Sequence, residues 1–252
     1  MRNAEYLFVT GCARSGTSVM ADLLRAHCHI AMGRERFAHR YLGDRCFSPS
    51  LFDKERFCRQ LHEQDSHHRT LGAYYEDLYQ RFDQCRYRGD KVPEIALDYS
   101  PLLASYRRPK VVYMLRNCFD VADSFKHRAL RAEAEGDKGG WPWDRASEAA
   151  VAEWSLSLRN SLKVLDSLDL LFVVYERLFV DDSLLIQLFR FLDLPVTEAV
   201  ANAHRSFMRV HQDLDDKRRN TLTSLEKLYI MRNADFAAYR RALDNADRQA
   251  NA

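Results

Sequence analysis

Hydrophobic and polar positions occur in blocks along the chain, and these blocks predict strands and helices in alternation. Short apolar runs have the length and composition of strands buried on both faces of a parallel sheet, over residues 6–10, 110–115 and 170–175. Stretches with apolar residues at helical spacing follow them, over residues 17–27, 119–130 and 183–192. The alternation predicts an α/β fold, with a parallel sheet flanked by helices on both faces.

Residues 33–88 break this alternation, because they hold helical patterns but few strand signals and are rich in histidine, arginine and aromatic side chains. We interpret them as a helical cap inserted into a single domain that spans residues 1–252. We expect the cap to shape the pocket of a second substrate. Its aromatic side chains either line that pocket or pack the cap itself. They include Phe37, Tyr41, Phe47, Phe52, Tyr74 and Tyr75.

The composition is that of a globular chain, since 46% of its 252 residues are hydrophobic and 29% are charged. The net charge of +2 excludes a nucleic-acid surface over the whole molecule, so any basic site must be local. No apolar run reaches the roughly 18 residues of a transmembrane helix, and the N-terminus lacks a secretory hydrophobic segment. These features predict a cytoplasmic protein.

The six cysteines include no C-x-x-C pair, and all of them lie in the first half of the chain. Free thiols in a reducing cytosol are therefore favoured over a disulfide framework or a zinc site. The histidines indicate no metal site either, because His67 and His68 are adjacent and His27 and His29 flank a predicted helix end. We expect no bound metal.

The first strand runs into a glycine-rich turn, in the sequence FVTGCARSGTS from Phe8 to Ser18. Gly11 and Gly16 hold both glycine positions of the nucleotide-phosphate loop G-x-x-x-x-G-K-S/T, but Thr17 replaces its lysine. A strand, a glycine turn and a helix N-terminus still offer backbone N–H groups to an anion. Without the lysine, magnesium-nucleotide chemistry is disfavoured, and Arg14 can bind two oxygens of a terminal anionic group instead. The alternative is a turn that only joins strand to helix.

GCARSGTS resembles the 5′-phosphosulfate loop of the sulfotransferases that use 3′-phosphoadenosine 5′-phosphosulfate (PAPS). A second stretch, PKVVYMLRNCFDVADSF, resembles the 3′-phosphate motif of that family, with Arg116 at the strand end and Ser124 eight residues later. The resemblance implies the three-layer sandwich of P-loop NTPases. It also implies a phosphosulfate site made by Cys12, Ala13, Arg14, Ser15, Gly16, Thr17 and Ser18.

Two further stretches agree with this family. Lys91 in GDKVPE resembles the lysine of its G-D/E-K-x-P segment, and Tyr175 in VVYERLFVDD resembles a tyrosine that lies near the nucleotide. The K-x-P segment favours the carbohydrate-type or bacterial branch. The Asn117–Cys118 pair lacks the proline often found there, which predicts a looser turn. The glycine-rich C-terminal segment of cytosolic aryl and steroid members is also absent. A basic run is formed by Lys217, Arg218 and Arg219. This run either closes over the 3′-phosphate or is only solvated.

The resemblance implies transfer of a sulfuryl group from PAPS to a hydroxyl, less readily an amine, with 3′,5′-ADP as product and no metal. The acceptor would be a small molecule or saccharide, of the carbohydrate or natural-product type. Lys91 would add positive charge near the transferred group, or is only a strand-end lysine. Glu35 is the first candidate for the base, followed by His39 and then Asp98. The alternative for Glu35 is an ion pair with a neighbouring arginine.

Two other functions remain open at this point. One is a nucleoside or small-molecule kinase with a modified phosphate loop, for which the sequence offers neither the lysine nor an identifiable magnesium carboxylate. The other is a nucleotide-binding scaffold without catalytic activity.

Overall fold

The computed structural model describes residues 5–65, 71–136, 145–215 and 221–251. Its centre is a five-stranded sheet in which every pairing is parallel. In chain order the strands are β1 (Glu5–Thr10), β2 (Ile30–Met32), β3 (Tyr87–Gly89), β4 (Lys110–Leu115) and β5 (Asp169–Val174). Their order across the sheet is β2-β3-β1-β4-β5, so the carboxyl end of β1 lies in the middle of one sheet edge.

The three strands predicted from apolar runs are confirmed as β1, β4 and β5, with ends shifted by one residue at most. Two short strands were missed, because their three residues are too few to form an apolar run. β3 also contains a polar Arg88 and ends at Gly89, and neither residue is typical of a buried strand. Both missed strands lie on the same side of β1.

The longer helices surround the sheet. They are α1 (Thr17–Arg25), α4 (Ala73–Arg81), α6 (Cys118–Ala134), α7 (Ala146–Lys163), α8 (Ser183–Phe191), α9 (Glu198–Asp215), α10 (Ser224–Asn233) and α11 (Phe236–Ala250). Shorter ones are α2 (Ala38–Leu42), α3 (Lys54–Cys58) and α5 (Ser100–Ser105), with 3₁₀ turns at Pro49–Phe52, Phe82–Gln84, Pro93–Leu97 and Tyr175–Arg177. Across the described ranges, no helix has the length and apolar character needed to cross a bilayer.

Alternating side chains of the strands divide the core into two halves, one on each face of the sheet. On one face Val9 of β1 and Val112 of β4 pack with α1 and α8. On the other face Phe8 and Tyr113 pack with α6, α7 and α11. The predicted fold, a parallel sheet between two helical layers, is therefore confirmed.

The aromatic side chains of residues 33–88 are largely buried against the sheet. Phe47 and Phe52 have ring centroids 5.1 and 5.7 Å from that of Phe8 on β1. Phe37, Tyr41 and Phe57 are buried in the same half of the core. These rings fill the interior, so they leave little aromatic surface for a ligand.

Candidate functional site

The glycine loop, residues 11–16, connects β1 to α1 at the carboxyl edge of the sheet. Its backbone has positive φ angles at Gly11 (143°), Arg14 (68°) and Gly16 (88°). Gly16 is the N-cap of α1 and has no side chain to accept from the first turn, so the N–H groups of that turn remain available to a ligand. The loop therefore has the backbone geometry of an anion site.

Both glycines are required by close neighbours as well as by their φ angles. A Cβ at Gly11 would lie 2.6 Å from the carbonyl oxygen of Met114 on β4. A Cβ at Gly16 would overlap the ring of Tyr175, which follows β5. The loop is thus held against the carboxyl ends of β4 and β5, and any larger residue would displace it.

Predicted residues from three separate parts of the chain come together beside this loop. Arg14 Nε donates to Ser124 Oγ on α6 at 3.1 Å, and Arg116 Nη1 donates to the backbone oxygen of Arg14 at 2.8 Å. The guanidinium carbon of Arg116 lies 4.3 Å from the centroid of the Tyr175 ring. Four of the side chains predicted for the nucleotide, Arg14, Arg116, Ser124 and Tyr175, therefore form one connected group.

Positive charge is concentrated at this group. The pKa of Arg14 is lowered by partial desolvation and then by the charges of Arg116, Arg128 and Arg131. We call these four residues the arginine cluster. Arg128 and Arg131 were missed in the sequence, although their spacing of four and seven residues from Ser124 puts them on the same face of α6. Such a concentration of cations favours a ligand with more than one anionic group.

The turn into α6, for which the missing proline predicts a looser conformation, is held by hydrogen bonds of Asn117. Asn117 is the N-cap, and its Oδ1 accepts from the backbone N–H of Asp120 at 2.9 Å. Glu176 then accepts from both the backbone N–H and the side chain of Asn117, at 2.9 and 3.0 Å. An asparagine cap replaces the conformational restriction that proline would supply.

Lys91 and Glu35 form an ion pair on the opposite side of the glycine loop, next to β3 and β2. Lys91 is almost fully buried, whereas the Glu35 side chain is 29% exposed. The Glu35 N–H donates to the Lys91 carbonyl at 2.9 Å, and Glu35 has a positive φ of 58°. The partner of Glu35 is therefore this lysine and not the adjacent arginine considered from the sequence.

The pair borders a cleft of about 420 Å³ that we call the basic cleft. It is lined by Ser18 and Arg25 of α1, by residues 34–36, and by Tyr75 and Lys91. Ser18 connects it to the first turn of α1, so the cleft opens beside the glycine loop. A ligand in the basic cleft can thus approach a group bound at the loop.

The other candidates for the base lie differently. His39 is exposed on α2 and is absent from the described lining of the basic cleft. Asp98 accepts hydrogen bonds from Ser100, which with Arg45 lower its pKa. A carboxylate with a lowered pKa is a weak proton acceptor.

The basic run lies outside the described residues, so Lys217, Arg218 and Arg219 have no position here. The chain is described again from Thr221, whose N–H donates to Asp123 Oδ1 at 2.8 Å. Asp123 is the neighbour of Ser124 on α6.

Two half-buried carboxylates near the loop had no signal in the sequence. Glu153 of α7 accepts from the Ala13 N–H at 2.7 Å and from the Cys12 thiol at 3.5 Å, and burial raises its pKa. Burial also raises the pKa of Glu94, with Glu35 and Glu153 adding to the effect. Neither belongs to a sequence pattern that indicates a site, since each is an acidic residue in an otherwise ordinary helical segment. Within the described ranges, no group of histidine, cysteine and acidic side chains is arranged to hold a metal.

The Sulfotransferase family model matches residues 7–198, and the chain belongs to this family. The sulfotransferase domain from the curacin biosynthetic pathway is 19% identical, with 79% of this chain and 77% of that chain covered and a TM-score of 0.51. A sulfotransferase from Alicyclobacillus acidocaldarius is 16% identical, with 95% of this chain and 100% of that chain covered and a TM-score of 0.51. These likenesses show a shared fold. No curated protein matches the chain.

Proposed function

We propose that this protein transfers a sulfuryl group from PAPS to a hydroxyl, less readily an amine, of a carbohydrate or natural-product acceptor, and releases 3′,5′-ADP. The observation that supports the proposal is that Arg14 of the glycine loop contacts both Ser124 and Arg116, so the two candidate anion sites, the loop and the Arg116 and Ser124 positions, lie next to each other. A nucleotide with a 5′-phosphosulfate and a 3′-phosphate needs two such sites, whereas a mononucleotide needs one.

The residues present fit this substrate. The buried Ser15 hydroxyl has no hydrogen-bond partner among the described residues, so a ligand oxygen would satisfy it. Gly11 and Gly16 let the loop backbone pack against Met114 and Tyr175, which holds the loop N–H groups in position for an anion. The arginine cluster supplies the opposite charge. Lys217 and Arg218 remain predicted contacts to the 3′-phosphate, and Tyr175 remains a predicted neighbour of the nucleotide.

The chain's own residues divide the chemical work between the two sides of the loop. Glu35 removes the proton of the acceptor hydroxyl, whose oxygen attacks the sulfur as the bond to the departing nucleotide breaks. The loop amides, Arg14, Thr17 and Ser18 stabilise the negative charge on the leaving oxygen. Lys91 holds Glu35 in place through their ion pair, and positive charge near the leaving group or the sulfonate remains its predicted role. His39 remains the second candidate for the base.

We assign the reaction to the cytoplasm, because all six cysteines are free thiols and a reducing compartment keeps them so. The reaction needs no metal, since the cationic side chains can supply the charge that magnesium supplies in kinases.

Calorimetry with three nucleotides tests the proposal. We expect 3′,5′-ADP to bind at least about tenfold more tightly than 5′-AMP, because a phosphate held by charge-assisted hydrogen bonds contributes about 1.5–3 kcal/mol. Magnesium-ATP should bind more weakly than 3′,5′-ADP. Preferential binding of magnesium-ATP would contradict the proposal and favour a kinase. Binding of 3′,5′-ADP without transfer to any acceptor would favour a scaffold.

A further inference from the structure

The basic cleft carries more positive than negative charge. Its lining contains four cations, Arg25, Arg34, Arg36 and Lys91, and a single carboxylate, Glu35. The basic cleft lies on the acceptor side of the loop, so an acceptor that enters it meets these charged side chains.

Two of the four cations are already neutralised. Lys91 forms its ion pair with Glu35. Arg36 is nearly buried, and its Nη1 lies 2.7 Å from Asp65 Oδ2. Neither is therefore available to attract another anion strongly.

The other two cations share one carboxylate. Arg25 Nη1 lies 3.5 Å from Asp22 Oδ1, and Arg34 Nη1 lies 3.6 Å from Asp22 Oδ2. Among the described residues, Asp22 is the one carboxylate within ion-pair distance of either guanidinium. Two positive charges and one negative charge leave a surplus of one, and both distances are long for a charge-assisted hydrogen bond.

These two arginines are placed to receive a ligand. The guanidinium carbon of Arg25 lies 3.5 Å from the centroid of the Tyr74 ring, so stacking limits its movement. The Arg34 side chain is 51% exposed and can adjust to an anion. Ser18, Asp22 and Arg25 follow one face of α1, and the rise of the helix separates Ser18 from Arg25 by about 10 Å.

We infer that the acceptor carries an oxyanion, as a carboxylate, sulfate or phosphate group, and that Arg34 and Arg25 bind it while its hydroxyl lies beside Glu35. The anion lies away from the glycine loop, towards the last turn of α1. This inference rests on the proposed function, because it takes the basic cleft as the acceptor site. It makes Arg34 a residue that determines specificity, distinct from the residues that bind the nucleotide.

Two matched series of acceptors test the inference. The hexose series is glucose, glucuronate, glucose 6-phosphate, glucose 6-sulfate and glucosamine. The phenol series is 4-hydroxyphenylpropionate, its methyl ester and the corresponding amine. Each is titrated by calorimetry into protein saturated with 3′,5′-ADP, so that the nucleotide already occupies the loop. Sulfate transfer from PAPS to each compound is measured in parallel by mass spectrometry.

In at least one series, we expect an anionic compound to bind at least about tenfold more tightly than the neutral compound of that series. One charge-assisted hydrogen bond accounts for a difference of this size. Which anion binds best identifies the group as carboxylate, phosphate or sulfate. Arg34→Gln should remove this preference and Arg34→Glu should reverse it towards the cationic member. Neither change should alter 3′,5′-ADP affinity. Arg240→Gln, on the exposed face of α11, is the matched control and should keep the wild-type preference.

The inference would be overturned if the anionic and neutral members of both series bound equally tightly, or if no member bound measurably. An anion preference that survives Arg34→Glu would also overturn it. Failure of the proposed function would be distinguished by the nucleotide itself, because the protein would then fail to prefer 3′,5′-ADP over 5′-AMP before any acceptor is added.

Discussion

Arg116 joins parts of the candidate site, since it donates to the carbonyl of Arg14, whose side chain contacts Ser124, and it stacks on Tyr175. Arg116→Ala should weaken binding of 3′,5′-ADP by about tenfold or more, while 5′-AMP affinity falls much less. Ser124→Ala should act in the same direction but more weakly, because it removes a neutral donor. Calorimetry with both nucleotides measures this. Equal losses for the two would mean that Arg116 supports the loop and does not bind the 3′-phosphate.

Glu35 combines a left-handed backbone conformation, an ion pair with Lys91 and a place in the basic cleft. As the proposed base, it should be needed for turnover and hardly at all for nucleotide binding. Glu35→Gln should lower turnover by about 10²–10⁴-fold while 3′,5′-ADP affinity remains close to wild type. His39→Ala is the comparison variant and should remain active. Near-normal turnover in Glu35→Gln together with a collapse in His39→Ala would assign the role to His39.

Glu153 places a carboxylate under a loop that we expect to bind an anion, and its pKa is raised by burial. Its protonated form repels a bound anion less. As the pH falls through this raised pKa, the wild type should therefore gain affinity for 3′,5′-ADP relative to Glu153→Gln, which keeps an oxygen to accept from Ala13. Comparing the two proteins removes the ligand's own titration from the result. Parallel pH profiles for both proteins would show that Glu153 does not influence anion binding.

At the scale of elements, the sequence was most informative where several residues act together. The apolar runs predicted β1, β4 and β5, and the glycine pattern predicted the turn into α1. β2 and β3 escaped prediction because three-residue strands are defined by pairing with β1 and with each other, which no local pattern reports. Glu153 escaped because its role depends on α7 crossing beneath the loop, a contact between residues 140 apart in the chain.

The Asp65 carboxylate holds the segment from α2 to α3 together, because three arginines donate to it. Arg36, Arg40 and Arg56 all donate to its two oxygens. Burial alone would raise the pKa of Asp65, but hydrogen bonds from Arg56, the His62 N–H and Arg36 outweigh it and hold the pKa well below its usual range.

Asp65→Asn should therefore destabilise the protein by about 3–5 kcal/mol, because buried guanidinium groups lose their counter-charge. Since the folded pKa is lowered, this stability is present above the ordinary value of about 4 and is lost as the pH falls through the folded value. Urea unfolding at neutral and acid pH measures both effects. Asp83→Asn, which removes an exposed pair with Lys54, is the control and should change the midpoint little. A similarly small change for Asp65→Asn would contradict the argument.

At the scale of the whole molecule, the strand order separates two chemical tasks. β4 and β5 carry Arg116 and Tyr175 to one side of the glycine loop, and β3 and β2 carry Lys91 and Glu35 to the other. The carboxyl edge of a parallel sheet is where ligands bind in such folds. The proposed donor and acceptor would thus meet at the loop from opposite sides, which is the arrangement that in-line transfer requires.

The most direct test of this account is the fate of labelled PAPS incubated with the protein, a chelator of divalent metals, and the hexose and phenol series. The account predicts a sulfated product and 3′,5′-ADP in equal amounts, with product formation abolished in a sample that lacks acceptor. PAPS that binds tightly but yields no sulfated product with any member of either series would contradict it, as would turnover that appears only when magnesium is restored.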